Sequence, residues 1–496
     1  MTASVAGVGA FRRAWMVNGA DDTGEFGAWA ARRSRYGVLW SYYEGLPYAS
    51  IQSHAKGLKV DGGLYKAIRS IYNPAGRLAD FYATHLLGGT LEFDEMGGIT
   101  DGGAWPILTD NDALRVALGE VMRASNWQIM KQVLALRGTV LGDAVLMVRD
   151  EVDRVYVENV HPASIVDVEL DGRGYVIGYK REETRTDPED RDGRRTVVYT
   201  ETAERESDSD LIAYKTYRDN SLYPWNDNQG AEWSEPYGFV PMVLLQHRNV
   251  GNRWGWSEFH KTLSKIDEVN DQASKLSDQI RKSVDPMWLF KGVDATPTVQ
   301  LGGDDVRTDT NAMYGPADAG AEALVAPLDI AGVTGHITQL LEELENDHSE
   351  TRLVKLITSG AASGEAIRKA QQPVEANVRE RRANYDAASL SAMLMAVSIA
   401  GYRGLVDGFN LDSFHSGNML AQVGDRAVFN DSEFDQIALD AAKVALDKAE
   451  AEAASAYMAV GLDPQHYLAE RGWSEERIGQ LVNSSLFKNA TFAQYP

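Results

Sequence analysis

Two long stretches with helical periodicity, 256–284 and 333–358, constrain this 496-residue chain more than any other feature. In the first, Phe259, Leu263, Ile266, Val269, Ala273, Leu276 and Ile280 recur at steps of three and four, which marks one face of a helix. Lys261, Lys265, Asp267, Glu268, Asp271, Lys275, Asp278 and Arg281 flank that stripe. An apolar stripe this narrow packs against one or two neighbouring helices rather than inside a broad core. Such a helix would be roughly 40 Å long. Pro286 ends it, because proline cannot continue the hydrogen-bond ladder. The second stretch places Ile337, Leu340, Leu341, Leu344, Thr351 and Val354 on one side and Glu342, Glu343, Glu345, Asp347 and Glu350 on the other. A helical hairpin inside a globular enzyme has the same pattern, so the stripe alone leaves function open.

Charge narrows the classes. Lys and Arg number 49 against 72 Asp and Glu, a formal net charge of −23. That argues against a simple nucleic-acid binder, whose affinity comes from cations neutralising phosphates. It permits a protein that encloses DNA without gripping it, as well as one that is acidic only for solubility. There is no cysteine, hence no disulfide framework, no thiol chemistry and no Cys-ligated metal. No basic-then-apolar leader opens the chain. The longest apolar run, near 390–400, falls short of the ~20 residues a membrane helix needs. A soluble protein without membrane contact is expected.

Read in order, residues 1–25 are Gly- and Ala-rich and suggest a loose terminus. An aromatic-rich helix spans about 25–45, and a second helical stretch spans 64–87 with a break at Asn73 and Pro74. A short strand is expected at 91–93. Thr109, Asp110, Asn111 and Asp112 offer caps for a helix over 113–125, and another helix over 127–137 leads to Gly138. From Thr139 the period becomes strand-like: 144–148, 152–160, 165–170, 175–180, 196–200, 211–217 and 239–246. A charged loop at 181–195 and a turn-rich loop at 220–237 interrupt it. This middle reads as an antiparallel layer covered by the N-terminal helices, an α+β arrangement. Short strands at 287–291, 306–308 and 323–325 make a small module between the long stretches. A small-residue loop over 358–364 precedes a third long helix, 365–403, with Pro373 as a kink. After an irregular 407–424, the tail from 430 is helical and Ala-rich.

Catalytic signatures are missing. The chain contains no phosphate-binding loop, nucleophile elbow or paired metal-histidine spacing. Gly172, Arg173, Gly174 and Gly178 have the wrong spacing for a dinucleotide loop and read as a turn. Asp304, Asp305 and Asp309 do not follow a calcium-loop order. No catalytic residue, cofactor or metal ligand is assigned.

The order of parts then becomes informative. Several stretches resemble the portal, or head–tail connector, proteins of tailed bacteriophages: Arg35 and Tyr36 with the run from Trp40 to Gly45; Ile71 to Asn73 with 79–87; and Gly138 through Asp143 to Val148. Phe239 to Val243 followed by Gly255 to Glu258, and Ser359 and Gly360 through Pro373 to Glu375, complete the set. The resemblance spans about 25–485. It implies an α+β wing over 1–255, stem helices at 256–284 and 333–358, a small α/β clip at 285–332 and a tunnel loop at 359–364. A kinked wing helix and return segment at 365–429 and a helical crown at 430–496 complete the expected domains.

It also implies a self-assembled ring, about twelve subunits by cyclic closure, at one capsid vertex of a virion assembled in the host cytoplasm. Double-stranded DNA would pass through its lumen during packaging and ejection. The expected partners are the terminase large subunit, a head-completion or adaptor protein, and the major capsid and scaffolding proteins. Channel-lining candidates are Glu342, Glu343, Glu345, Lys355, Ser359, Gly360, Ser363, Arg368 and Lys369. The competing readings are another structural ring or scaffold of a virion or secretion machine, and a soluble enzyme with unrecognised carboxylate chemistry.

Overall fold

A computed structural model of the chain describes residues 25–48, 71–151, 153–187, 190, 194–206, 209–225, 230–284, 287–291, 320–324, 330–359 and 364–429. The chain divides into two compact units, Met1–Arg426 and Ala427–Pro496, and the first is described below. The expected loose terminus, the strand at 306–308, Gly360 and Ser363 of the expected tunnel loop, and the helical tail from 430 lie outside the described residues.

The helices start and stop where local chemistry directs. α1 (Glu25–Tyr43) buries Tyr36, Leu39 and Tyr42, one turn-spaced face of its aromatic run. α2 (Ala75–Leu87) follows Pro74, with the Asn73 Oδ1 accepting from the Ala75 N–H at 3.1 Å. A two-residue strand, β1 (Ile107–Leu108), precedes α3 (Asp112–Ala124). Asn111 caps α3 by accepting from the Leu114 N–H at 3.1 Å. α4 (Trp127–Leu141) runs past Gly138, the expected stop, and ends at Gly142, whose φ of +88° suits a glycine cap. Gly138 serves packing instead: a Cβ there would sit 1.9 Å from the Tyr385 hydroxyl oxygen. No strand forms at 91–93, where Phe93 makes a single bridge with Ile99.

Two antiparallel sheets follow. β2 (Asp143–Asp150) is the centre of a three-stranded sheet, with β3 (Val155–Val160) on one side. Its first six residues are buried, as expected of a strand covered on both faces. β4 (Ile165–Leu170), β5 (Val176–Thr186), β6 (Thr196–Arg205) and β7 (Ile212–Arg218) form a meander. The short β8 (Ser221–Leu222) and β9 (Glu232–Glu235) both pair with β7. The expected loop at 181–195 is therefore strand through Thr186, because β6 supplies backbone partners as far as Thr196 and the charges of Arg181, Glu183 and Arg185 alternate along one face, from the buried Arg181 to the exposed Arg185. The expected loop at 220–237 likewise contains β8 and β9. β10 (Met242–Gln246) returns to pair with β2 in register, Met242 opposite Met147.

The next helix, α5 (Leu263–Val284), begins later than the expected 256. Residues 256–259 instead dock on the end of α4, where the Thr139 carbonyl accepts from the Glu258 N–H at 3.1 Å and the Ser257 hydroxyl at 3.2 Å. β11 (Met287–Lys291) pairs antiparallel with β12 (Gly320–Leu324), three residues ahead of the expected strand at 323–325. The second long stretch is two helices, α6 (Ile330–Asp347) and α7 (Ser349–Ser359), interrupted at His348. α8 (Gly364–Tyr402) is one 39-residue helix with Pro373 inside it. The expected irregular 407–424 contains α9 (Leu411–His415) and β13 (Gln422–Val423), which pairs with β1.

α8 organises the unit. It packs on β2, β3 and β10 as well as on α2, α3 and α7. Ala388, Ala392 and Ala396 at four-residue spacing let its backbone approach the sheet. The three-stranded sheet is thus covered by this C-terminal helix together with α3 and α4, not by the N-terminal helices alone.

Candidate functional site

The candidate site is the hairpin of α5 and α6 and the root that fixes it. The helices run antiparallel, since Lys265 near the start of α5 reaches Asp347 at the end of α6 at 2.6 Å and Glu343 at 3.8 Å. Their apolar stripe is buried at the root. Leu263, Ile266, Val269 and Leu344 join Tyr36, Leu39, Tyr42, Leu78 and Phe259 in one cluster. Farther along, the same stripe opens: Ile280 is 42% and Ile330 50% exposed.

Buried polar groups pin α5. Asp267, expected on the charged flank, is buried and accepts from the hydroxyls of Tyr42 and Tyr48, the latter at 2.6 Å. One turn on, the Asn270 Oδ1 accepts from the N–H groups of Ile71 and Tyr72 at 2.8 Å each, and its Nδ2 donates to the Tyr72 carbonyl at 2.9 Å. Burial raises both tyrosine hydroxyls, and the Asp267 charge raises them further.

A second network joins the loop before α5 to α8. Asn377, Arg381 and Tyr385 follow at four-residue spacing and so share a helix face. Arg381, 2% exposed at its side chain, donates to the Glu258 carboxylate at 3.1 Å. The same carboxylate accepts from His247 Nε2–H at 2.8 Å, while His247 Nδ1 accepts from the Tyr385 hydroxyl at 2.9 Å. Burial pushes the Glu258 carboxyl up, but the His247 hydrogen bond and the charges of Arg381 and Arg248 outweigh it and hold the group well below the usual range. Burial keeps His247 neutral, which supports this donor and acceptor assignment. Glu350, expected on the exposed face, is buried and accepts from the Tyr82 hydroxyl and from Asn377. The break at His348 explains this: it resets the helical phase, so Glu350 and Leu353 face inward while Val354, expected in the stripe, is 45% exposed.

The expected channel residues fall in several places. Glu342 and Glu343 are exposed on α6. Glu345 and Lys355 are brought together at 2.8 Å. Ser359 is the last residue of α7, and Arg368 and Lys369 are exposed near the start of α8. Sequence reasoning missed His247, Arg381 and Tyr385. The spacing of 377, 381 and 385 on α8 was the available signal, but the partners of Arg381 and Tyr385 lie more than a hundred residues away.

Among the described residues, no cluster suited to a metal ion occurs, and no helix is long and apolar enough to cross a membrane. A comparison with curated proteins finds no match. A family model described as "Phage portal protein, SPP1 Gp6-like" matches residues 26–437, which takes in the root, the hairpin and α8. By that match the chain belongs to the phage portal protein family.

Proposed function

We propose that copies of this chain close into a ring at one capsid vertex and that the α5–α6 hairpins wall the channel through which double-stranded DNA enters and leaves. The observation that carries this reading is the half-buried stripe. An isolated hairpin would leave Ile280 and Ile330 in water, whereas side-by-side copies would cover them. A heterologous contact that closes gives cyclic symmetry, about twelve copies in this reading. In such a ring 1–255 and part of 365–429 act as wing, 285–332 as clip, 359–364 as tunnel loop and 430–496 as crown. The clip side receives the terminase large subunit and later a head-completion protein, and the wing meets capsid and scaffolding proteins.

The charge suits passage. With −23 per chain, a ring of that size carries on the order of −280. Acids facing the lumen repel phosphate and keep DNA mobile, whereas a basic lining would hold it by counterion release. Glu342 is the cleanest test, because Glu345 is engaged by Lys355 and Glu343 lies 3.8 Å from Lys265. Glu342→Lys should slow packaging and ejection while rings still assemble. Unaltered kinetics in assembled rings would remove this helix face from the lumen.

A further inference from the structure

α6 and α7 meet at His348 without a proline or glycine between them. Asn346, Asp347, His348 and Ser349 are instead weak helix formers, whose side chains favour caps and turns. α7 restarts on the His348 carbonyl, which accepts from the Thr351 N–H at 3.1 Å and the Thr351 hydroxyl at 2.8 Å. Lys355 Nζ then donates to both oxygens of Glu345, at 2.8 and 3.0 Å. Unbroken helix would separate residues ten apart by about 15 Å along its axis, farther than a lysine and a glutamate side chain reach together. The contact exists because α7 turns at His348.

On the inner side the joint is pinned. His348 Nε2–H donates to the Thr262 hydroxyl oxygen at 3.1 Å, since that hydroxyl itself donates to the Phe259 carbonyl. Glu350 is held by Tyr82 and Asn377. Beside the pinned Glu350, α7 borders an open groove of about 310 Å³, with Leu78 and Phe81 of α2 on one side and Val354 and Lys355 on the other. Val354 is 45% exposed on that side, while Leu353 next to it is buried.

We propose that His348 is a hinge, that α7 is its moving arm, and that the Lys355–Glu345 pair is the latch that sets the arm's rest position. The device follows from the geometry of one chain and does not depend on the ring or on DNA. A surface ion pair is a weak and salt-screened fastening, so ionic strength alone opens the latch. Release frees the end of α7 beyond Leu353, while Thr262, Glu350 and the buried Leu353 hold the rest of the joint in place.

Hydrogen exchange on the full chain tests this, read on peptides covering 349–359 with 196–218 as reference. Lys355→Gln and Glu345→Gln should each raise exchange in 349–359 several-fold and leave the reference unchanged. High salt should do the same to the unaltered chain and add little to either variant. The exchanged pair, Glu345→Lys with Lys355→Glu, should restore protection. Unchanged exchange in the single variants, or an exchanged pair as labile as either one, overturns the latch.

Discussion

The hairpin root and the open face of the β4–β9 meander handle charge in opposite ways, although the covered side of the meander buries Glu201 with Tyr179 and Asp187 with Arg218. At the root, ionisable side chains are buried and joined over long separations: Arg381 with Glu258, 123 residues apart, and Tyr82 with Glu350, 268 apart. On the meander's open face, Arg185 pairs with the half-buried Glu183 and Arg205 with Asp210, two and five residues away, with both arginines open to water. The root also holds His247, His260 and His348, whereas the meander contains no histidine. The difference separates what holds a position from what keeps a surface wet. Removing one member of a buried pair strands a charge, while an exposed pair contributes little. A hairpin that must stand at a fixed angle to its own body requires the first kind of fastening.

The comparison breaks most readily at Arg381. Arg381→Met leaves the buried Glu258 carboxylate with only Arg248 and the His247 hydrogen bond, and denaturation should show a loss of about 3 kcal/mol. A loss no larger than that of a surface substitution would make the root no different from the meander. Gly138→Ala drives a methyl into the Tyr385 hydroxyl and should cost about 1–3 kcal/mol by overpacking, again by denaturation.

Acid should separate the two regions next. Burial depresses His260 from 6.5 to about 4, and it lowers His247 and His348 as well. In that window the unfolded chain binds more protons than the folded root, so stability is full above pH 6.5 and is lost as pH falls toward 4. Glu258, also depressed, adds to the loss as the pH falls below the ordinary carboxylate range. Asp143 opposes it: burial raises its carboxyl to about 6, so its contribution is lost as the pH rises through that value. Three histidines outweigh that single group. Hydrogen exchange corrected for intrinsic rates should therefore show the root loosening before the meander, and simultaneous loosening would contradict the histidine account. The smallest effect belongs to Arg185→Ala, 54% exposed, which should stay within about 0.5 kcal/mol of the parent.

How far the residues disclosed this arrangement follows from the same contrast. The stripe of α5 was readable because Leu263, Ile266 and Val269 repeat at helical spacing, and the α3 cap was readable because Asn111 directly precedes its helix. Local patterns of that kind need no knowledge of the rest of the fold. The strand at 181–186 was hidden because its charges look like a loop until β6 supplies its partners. Gly138 looked like a stop because the side chain it admits, Tyr385, comes from 247 residues away. Glu350 and Asp267 looked like solvent-facing acids because the tyrosines that receive them lie on α1 and α2 or close by. The phase reset at His348 likewise has no periodic signature, since it depends on four successive weak helix formers rather than on a proline.

The central claim is that the α5–α6 hairpins of neighbouring copies stand side by side around a bore. Electron microscopy of the purified protein tests it most directly. The account predicts a closed ring with these helices lining a central hole that admits a DNA duplex. A lone compact particle, or a ring with the hairpins on its outer rim, would contradict it.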